Sequence, residues 1–99
     1  MTVGLCRVQL HLPENHSLKG KRQVIKSLIA RIQNRFNVSV AEIDEHDRWQ
    51  MASIGISCVS TSSEHAHQVL SKVIGFIGKE RLDAELVDYE IEIIQALGD

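Results

Sequence analysis

The sequence predicts an α+β fold, one four-stranded antiparallel sheet with two helices on the same side, and three observations lead there. Apolar residues alternate with period two in four stretches, and two other stretches repeat at helical spacing. They follow one another as strand, helix, strand, strand, helix, strand, filling the 99 residues almost without linker. Every element carries only one apolar face, so two packed layers bury all six together.

The first stretch, residues 3–12, turns Gly4, Cys6, Val8, Leu10 and Leu12 to one side and Val3, Leu5, Arg7, Gln9 and His11 to the other. Pro13, the only proline, ends it because proline has no amide proton to give a ladder. After a loop over 13–16, Ser17 is placed to cap a helix from Leu18 to about Phe36. Leu18, Val24, Ile25, Leu28, Ile29, Ile32 and Phe36 share one arc of that helix and form its core-facing stripe. Lys19, Arg22 and Lys26 line one flank at i, i+3, i+7, and Arg31 with Arg35 the other.

Residues 37–44 and 48–60 read as two strands joined by an acidic hairpin over 44–47, with Val38 and Val40 alternating in the first and Ala52, Ile54, Ile56 and Cys58 in the second. Thr61-Ser62-Ser63-Glu64 fits a capping box in which the threonine and glutamate side chains satisfy each other's amides. The second helix then runs to about Ile77. Ala66, Val69, Leu70, Val73, Ile74, Phe76 and Ile77 face inward, while Gly75 and Gly78 lie on the exposed side with Gly78 as the stop. The last strand, 84–94, turns Val87, Tyr89, Ile91 and Ile93 to the core and Asp88, Glu90 and Glu92 outward. Right-handed crossovers select the ferredoxin-like βαββαβ two-layer sandwich with sheet order 4-1-3-2, both helices on one face and the other face open.

Composition sets further bounds. With 43% hydrophobic and 24% charged residues, the chain is expected to be a single domain over 1–99 with no disordered segment. Its start lacks the apolar run of a signal peptide, and no window has the roughly 20 apolar residues of a membrane span, so a cytoplasmic protein is expected. Cys6 and Cys58 fall on strands that neighbour each other in this order; a disulfide could reach, but in a cytosolic chain two reduced core thiols are the expected state. The formal charge of −2 argues against a general nucleic-acid binder, yet it hides an asymmetry. Lys19, Lys21, Arg22, Lys26, Arg31 and Arg35, six of the eleven basic residues, lie between Leu18 and Phe36, where there is no acidic residue. Asp83, Glu85, Asp88, Glu90, Glu92 and Asp99 crowd the other end.

Four motifs in order carry a family resemblance: Val3-Gly-Leu-Cys-Arg-Val-Gln-Leu-His-Leu-Pro13, Ser17-Leu-Lys-Gly-Lys-Arg22, Asn34-Arg-Phe-Asn-Val-Ser-Val-Ala-Glu42 and Trp49-Gln50. With them the chain closely resembles, over essentially its whole length, the YlxP-like family, a bacterial domain of unknown function. The resemblance implies a ferredoxin-like α+β domain and no catalytic residue. It also implies a glutamate in the first helical turn where this chain has Gly20, so the box Ser-x-x-Glu is incomplete and the helix start is expected to fray. Genes of the family lie in several bacteria beside those for translation initiation factor two and ribosome-binding factor A, which points toward the ribosome.

For function, the basic helix is the foremost candidate: Lys19, Arg22 and Lys26, with Arg31 and Arg35, could contact successive phosphates of RNA or of a ribosomal particle. The competing reading is a solvated face that offsets the acidic last strand. RNA on the open sheet face is disfavoured, since Asp88, Glu90 and Glu92 lie there and stacking aromatics do not. The helix cannot enter a membrane, because its apolar stripe is needed by the core. His65 and His67 are about 200° apart around a helix and cannot share an ion, and His46 among Asp44, Glu45 and Asp47 lacks the spacing of a calcium loop. No metal and no cofactor is expected. No nucleophile-base constellation or phosphate loop is found, and residues 13–17 lack the anion cradle of acylphosphatases, so an enzyme is not expected. Trp49 is either an exposed interface anchor or, as large aromatics usually are, a cover for a sheet edge or helix end. Val3, Leu5, Met51, Val59, Leu86 and Ile94 put apolar atoms on the open face, through which, or through an edge strand, a homodimer could form. The alternative function is accordingly a homo-oligomeric sensor or scaffold like the ACT-type domains, which bind small molecules where protomers meet.

Overall fold

The computed structural model describes residues 1–43, 48–80 and 83–98. Six elements follow in the expected order: β1 (Thr2–His11), α1 (Leu18–Arg35), β2 (Ser39–Glu42), β3 (Met51–Ser60), α2 (Ser63–Lys79) and β4 (Glu85–Gln95). The sheet order is β2-β3-β1-β4, with every neighbouring pair antiparallel, which is the ferredoxin-like arrangement. The expected hairpin over 44–47 lies outside the described residues.

Alternation in β1 sends Gly4, Cys6, Val8 and Leu10 into the interior, and their register against β3 pairs Val8 with Ile54 and Leu10 with Ala52. Ile25, Leu28 and Ile32 of α1 and Ala66, Leu70, Val73, Ile74 and Ile77 of α2 close over this face in one cluster. Both helices therefore lie on the same side of the sheet. Glycine at position 4 sets how closely they can sit: a Cβ there would lie 2.9 Å from Leu70 Cδ1, 3.1 Å from Cys58 Sγ and 3.3 Å from Ala66 Cβ. The bare backbone is what lets α2 rest directly on β1. Cys6 and Cys58 are both buried free thiols, placed diagonally because Gly4 opposes Cys58 while Cys6 opposes Ile56. Burial pushes the Cys6 thiol up to about 11, which keeps it protonated and unreactive near neutral pH.

Several local expectations are corrected. The second helix is capped by Ser62, whose hydroxyl accepts from the His65 amide, and not by Thr61. The Ser62 amide in turn donates to Ser60 Oγ, so the reciprocal bond of the box comes from behind and Glu64 is not required. Gly78 does not stop α2, which continues to Lys79 and ends when the Glu80 amide bonds the Phe76 carbonyl. Gly98 is the one described glycine with positive φ, so Gly78 supplies no left-handed turn. In β4 the register against β1 slips between Gln9, opposite Asp88, and Leu10, opposite Leu86. Val87 is thus an extra residue in a bulge, and the core side chain of this stretch is Leu86, which was expected on the open face. Val87 and Tyr89, expected in the core, remain 55% and 49% exposed on this edge strand.

Replacing Gly4 by alanine should overpack the β1–α2 contact and destabilise the fold by about 1–3 kcal/mol. A lowered urea midpoint with unchanged m-value is expected, and a wild-type midpoint would show that the contact is not tight.

Candidate functional site

The outward surface of α1 carries Lys19, Arg22 and Lys26, all exposed. None of the three makes a hydrogen bond or ion pair among the described residues. The other basic residues are engaged differently. Arg31 Nη1 lies 3.1 Å from Glu80 Oε2, and Arg35 places its Cζ 5.2 Å from the centroid of the Phe76 ring. Phe76 meets Phe36 edge to face, with centroids 5.6 Å apart, so the ends of the two helices are joined by aromatic contact. Lys21, counted with the basic stretch, points inward instead: it is only 3% exposed, and its Nζ donates to the Arg48 carbonyl at 3.0 Å.

Beside the Phe36–Phe76 pair is an open cleft of about 500 Å³ lined by Arg35, Lys72, Gly75, Lys79 and Glu80. Lys72 and Lys79 are absent from the basic set read off the first helix. Their spacing with Phe76, at i, i+4, i+7, was the available signal for them, since it places all three on one face of α2.

At the opposite end of α1 the Ser17 hydroxyl accepts from the Gly20 amide at 3.0 Å, as expected of an N-cap. The buried Asn15 completes this corner: its Nδ2 donates to the Ser17 carbonyl at 2.7 Å and also to the Trp49 carbonyl. Its Oδ1 lies 2.2 Å from where a Cβ on residue 20 would stand. Gly20 therefore does not leave an empty place at the helix start, because the Asn15 carboxamide fills it. Gln50 Nε2 donates to the Pro13 carbonyl and the Leu12 amide to the Gln50 carbonyl, fixing the turn from the other side. Trp49 is thus held firmly by its backbone while the residue stays 50% exposed. The bonds that seat the turn use its main-chain carbonyl and not its ring.

On the open face, Leu5, Ala41, Ile43, Gly55 and Ser57 line a trough of about 430 Å³, with the Arg7–Glu90 ion pair along it. Ile43, missed in the sequence, fits over Gly55, where a Cβ would meet its Cγ2 at 3.1 Å. Phe36 and Phe76 belong to the helical layer and Tyr89 shares the face of its partner Val8, so no strand turns an aromatic to the open side among the described residues. His65 Nδ1 pairs with Ser60 Oγ at 2.7 Å and His67 Nδ1 with Ser71 Oγ at 3.3 Å. Among the described residues no group of His, Cys, Asp and Glu gathers as a metal requires; the cluster around His46 lies outside them. Among the same residues no helix is long and apolar enough to cross a membrane.

Residues 3–91 match the family model described as "Protein of unknown function (DUF503)". The chain is also 40% identical over 75 residues to the "Uncharacterized protein YlxP" of Bacillus subtilis (strain 168), across 76% of this chain and 82% of that protein. The chain belongs to this family. The match begins in β1 and ends in β4, so the DUF503 region contains both helices and all of the basic residues described above. Neither description names an activity, and the chemistry must be read from the surface itself.

Alanine at position 20 would gain roughly 1 kcal/mol of helix propensity. It would also displace the Asn15 carboxamide, and breaking that group's hydrogen bonds costs about 1–3 kcal/mol. Gly20→Ala should therefore lower the urea midpoint in the wild type yet raise it in an Asn15→Ala background. Equal effects in the two backgrounds would rule out the coupling.

Proposed function

We propose that the protein is a small RNA-binding module that docks on a ribonucleoprotein such as a ribosomal particle through the outer surface of its helical layer. The observation that carries this reading is the row Lys19, Arg22 and Lys26, exposed along α1 with no carboxylate engaged among the described residues. One helical turn separates successive members, about 4.5–6 Å of axial rise, so one extended backbone can meet all three. Lys72 and Lys79 extend the positive surface onto α2, whereas Asp88, Glu90 and Glu92 lie on β4. The charge of the layer rather than the net charge of −2 governs how a phosphate chain meets it. The open sheet face is a poor alternative for RNA, being acidic along β4 and without aromatics for stacking.

Lys19→Glu, Arg22→Glu and Lys26→Glu combined should abolish salt-sensitive co-sedimentation with ribosomal subunits while leaving the circular dichroism spectrum unchanged. In direct RNA titrations, every phosphate that the variant no longer neutralises should flatten the dependence of log K on log salt by about 0.7–0.9. Equal co-sedimentation of the triple variant and wild type would dispose of the proposal.

A second reading, self-association in the manner of ACT-type domains, draws support from the open face, where Leu5 and Ile43 are exposed in the trough and Val59 is exposed outside it. It calls for a concentration-dependent dimer in sedimentation equilibrium that Leu5→Lys disrupts. A monomer at every concentration would exclude it.

A further inference from the structure

We propose that the cleft at the C-terminal ends of the two helices is a subsite for one unpaired nucleotide of single-stranded RNA, its phosphate held by Lys72 and Lys79 and its base stacked on Arg35. The choice of ligand rests on the RNA reading above, but the features that make it a subsite are its own. Lys72 and Lys79 flank Phe76 by about one turn on either side, and Arg35 reaches over the same ring from α1 with Cζ 5.2 Å from its centroid. A guanidinium already resting on an aromatic ring is a prearranged plane, on whose outer side a base can stack.

Helix-terminal cations have an ordinary explanation, since Arg35 and Lys79 lie in last turns where positive charge offsets the dipole. Lys72 does not, because it lies well before the last turn of a helix that ends at Lys79. Gly75 is also unexplained by packing: it sits in an exposed helix interior, where glycine is unfavourable, and a Cβ there would meet nothing within 4 Å. It lines the cleft beside Lys72 and Phe76, so this part of the wall carries no side chain. The acidic lining residue, Glu80, is taken up by Arg31 at 3.1 Å, which leaves the cleft with an excess of positive charge. At about 500 Å³ it lies in the range of small-ligand sites. A duplex would offer such a cleft only phosphates, its bases being stacked away, whereas a single strand can use both the cations and the ring surface.

The test compares a fluorescent oligoadenylate with an RNA duplex of equal phosphate number, using wild type, Gly75→Leu and the Lys19→Glu/Arg22→Glu/Lys26→Glu variant. Gly75→Leu fills the cleft, keeps every charge and improves helix propensity, so loss of folding is not a competing explanation. It should weaken oligoadenylate binding about tenfold and leave duplex binding unchanged. Unchanged oligoadenylate affinity, or equal weakening toward both ligands, would overturn the subsite while the triple variant still reports on the wider RNA reading. If wild type binds neither RNA, both fall together.

Discussion

One-sided burial is the constraint on which the rest of this molecule depends. Each strand that crosses the sheet has a single apolar row, and each helix a single apolar stripe, so there is one interior and only one way to enclose it. Val8, Leu10, Ile54, Leu28, Ile32, Leu70 and Val73 are fully or almost fully removed from water there. Burial of side chains of this size contributes about 1.5–3 kcal/mol each before chain entropy is counted. The apolar stripes of the helices face this interior, and Lys19, Arg22 and Lys26 on the outer side of α1 are left facing solvent as a consequence of the same packing. Gly4 is the point at which this enclosure is tightest, because the layer spacing there is set by backbone and not by side chains.

Polar groups secure what the core does not reach. Asn15 and Lys21 are buried polar residues at the start of α1, and both bond to main-chain carbonyls, of Trp49 and of Arg48 respectively. Leaving such groups without partners would cost more than their bonds contribute, so the β1–α1 loop and the turn before β3 are tied to each other's geometry. The main chain of Trp49 is fixed by this network, while the residue stays half exposed.

What could be read from the sequence follows the same physics. The alternation of β1 and β3 and the stripes of both helices were legible because each repeats several times, and Ser17 because a hydroxyl next to a helical stripe has one obvious task. β4 was only half legible: Ile91 and Ile93 keep the parity of the ladder, but the bulge at Val87 shifts it by one residue, and an inserted residue leaves no mark in an apolar pattern. Thr61, Ser62 and Ser63 are equally able to cap, so the choice of Ser62 depended on Ser60, a neighbour across the strand end. The buried Lys21 and the cleft were hidden for a related reason. A lysine's partner, or the meeting of Arg35 with Lys72 and Phe76, is decided by how two distant segments cross, whereas spacing along one helix describes only that helix.

The distribution of charge between the layers has a consequence for encounters in solution. With Lys19, Arg22, Lys26, Lys72 and Lys79 on the helical layer and Glu85, Asp88, Glu90 and Glu92 along β4, the molecule has two electrically unlike sides despite its small net charge. A polyanion at a distance of about a Debye length, roughly 8–10 Å in physiological salt, exerts a torque on such a body as well as a force. The protein would arrive already turned, helices foremost, so that orientation is selected before any contact is made.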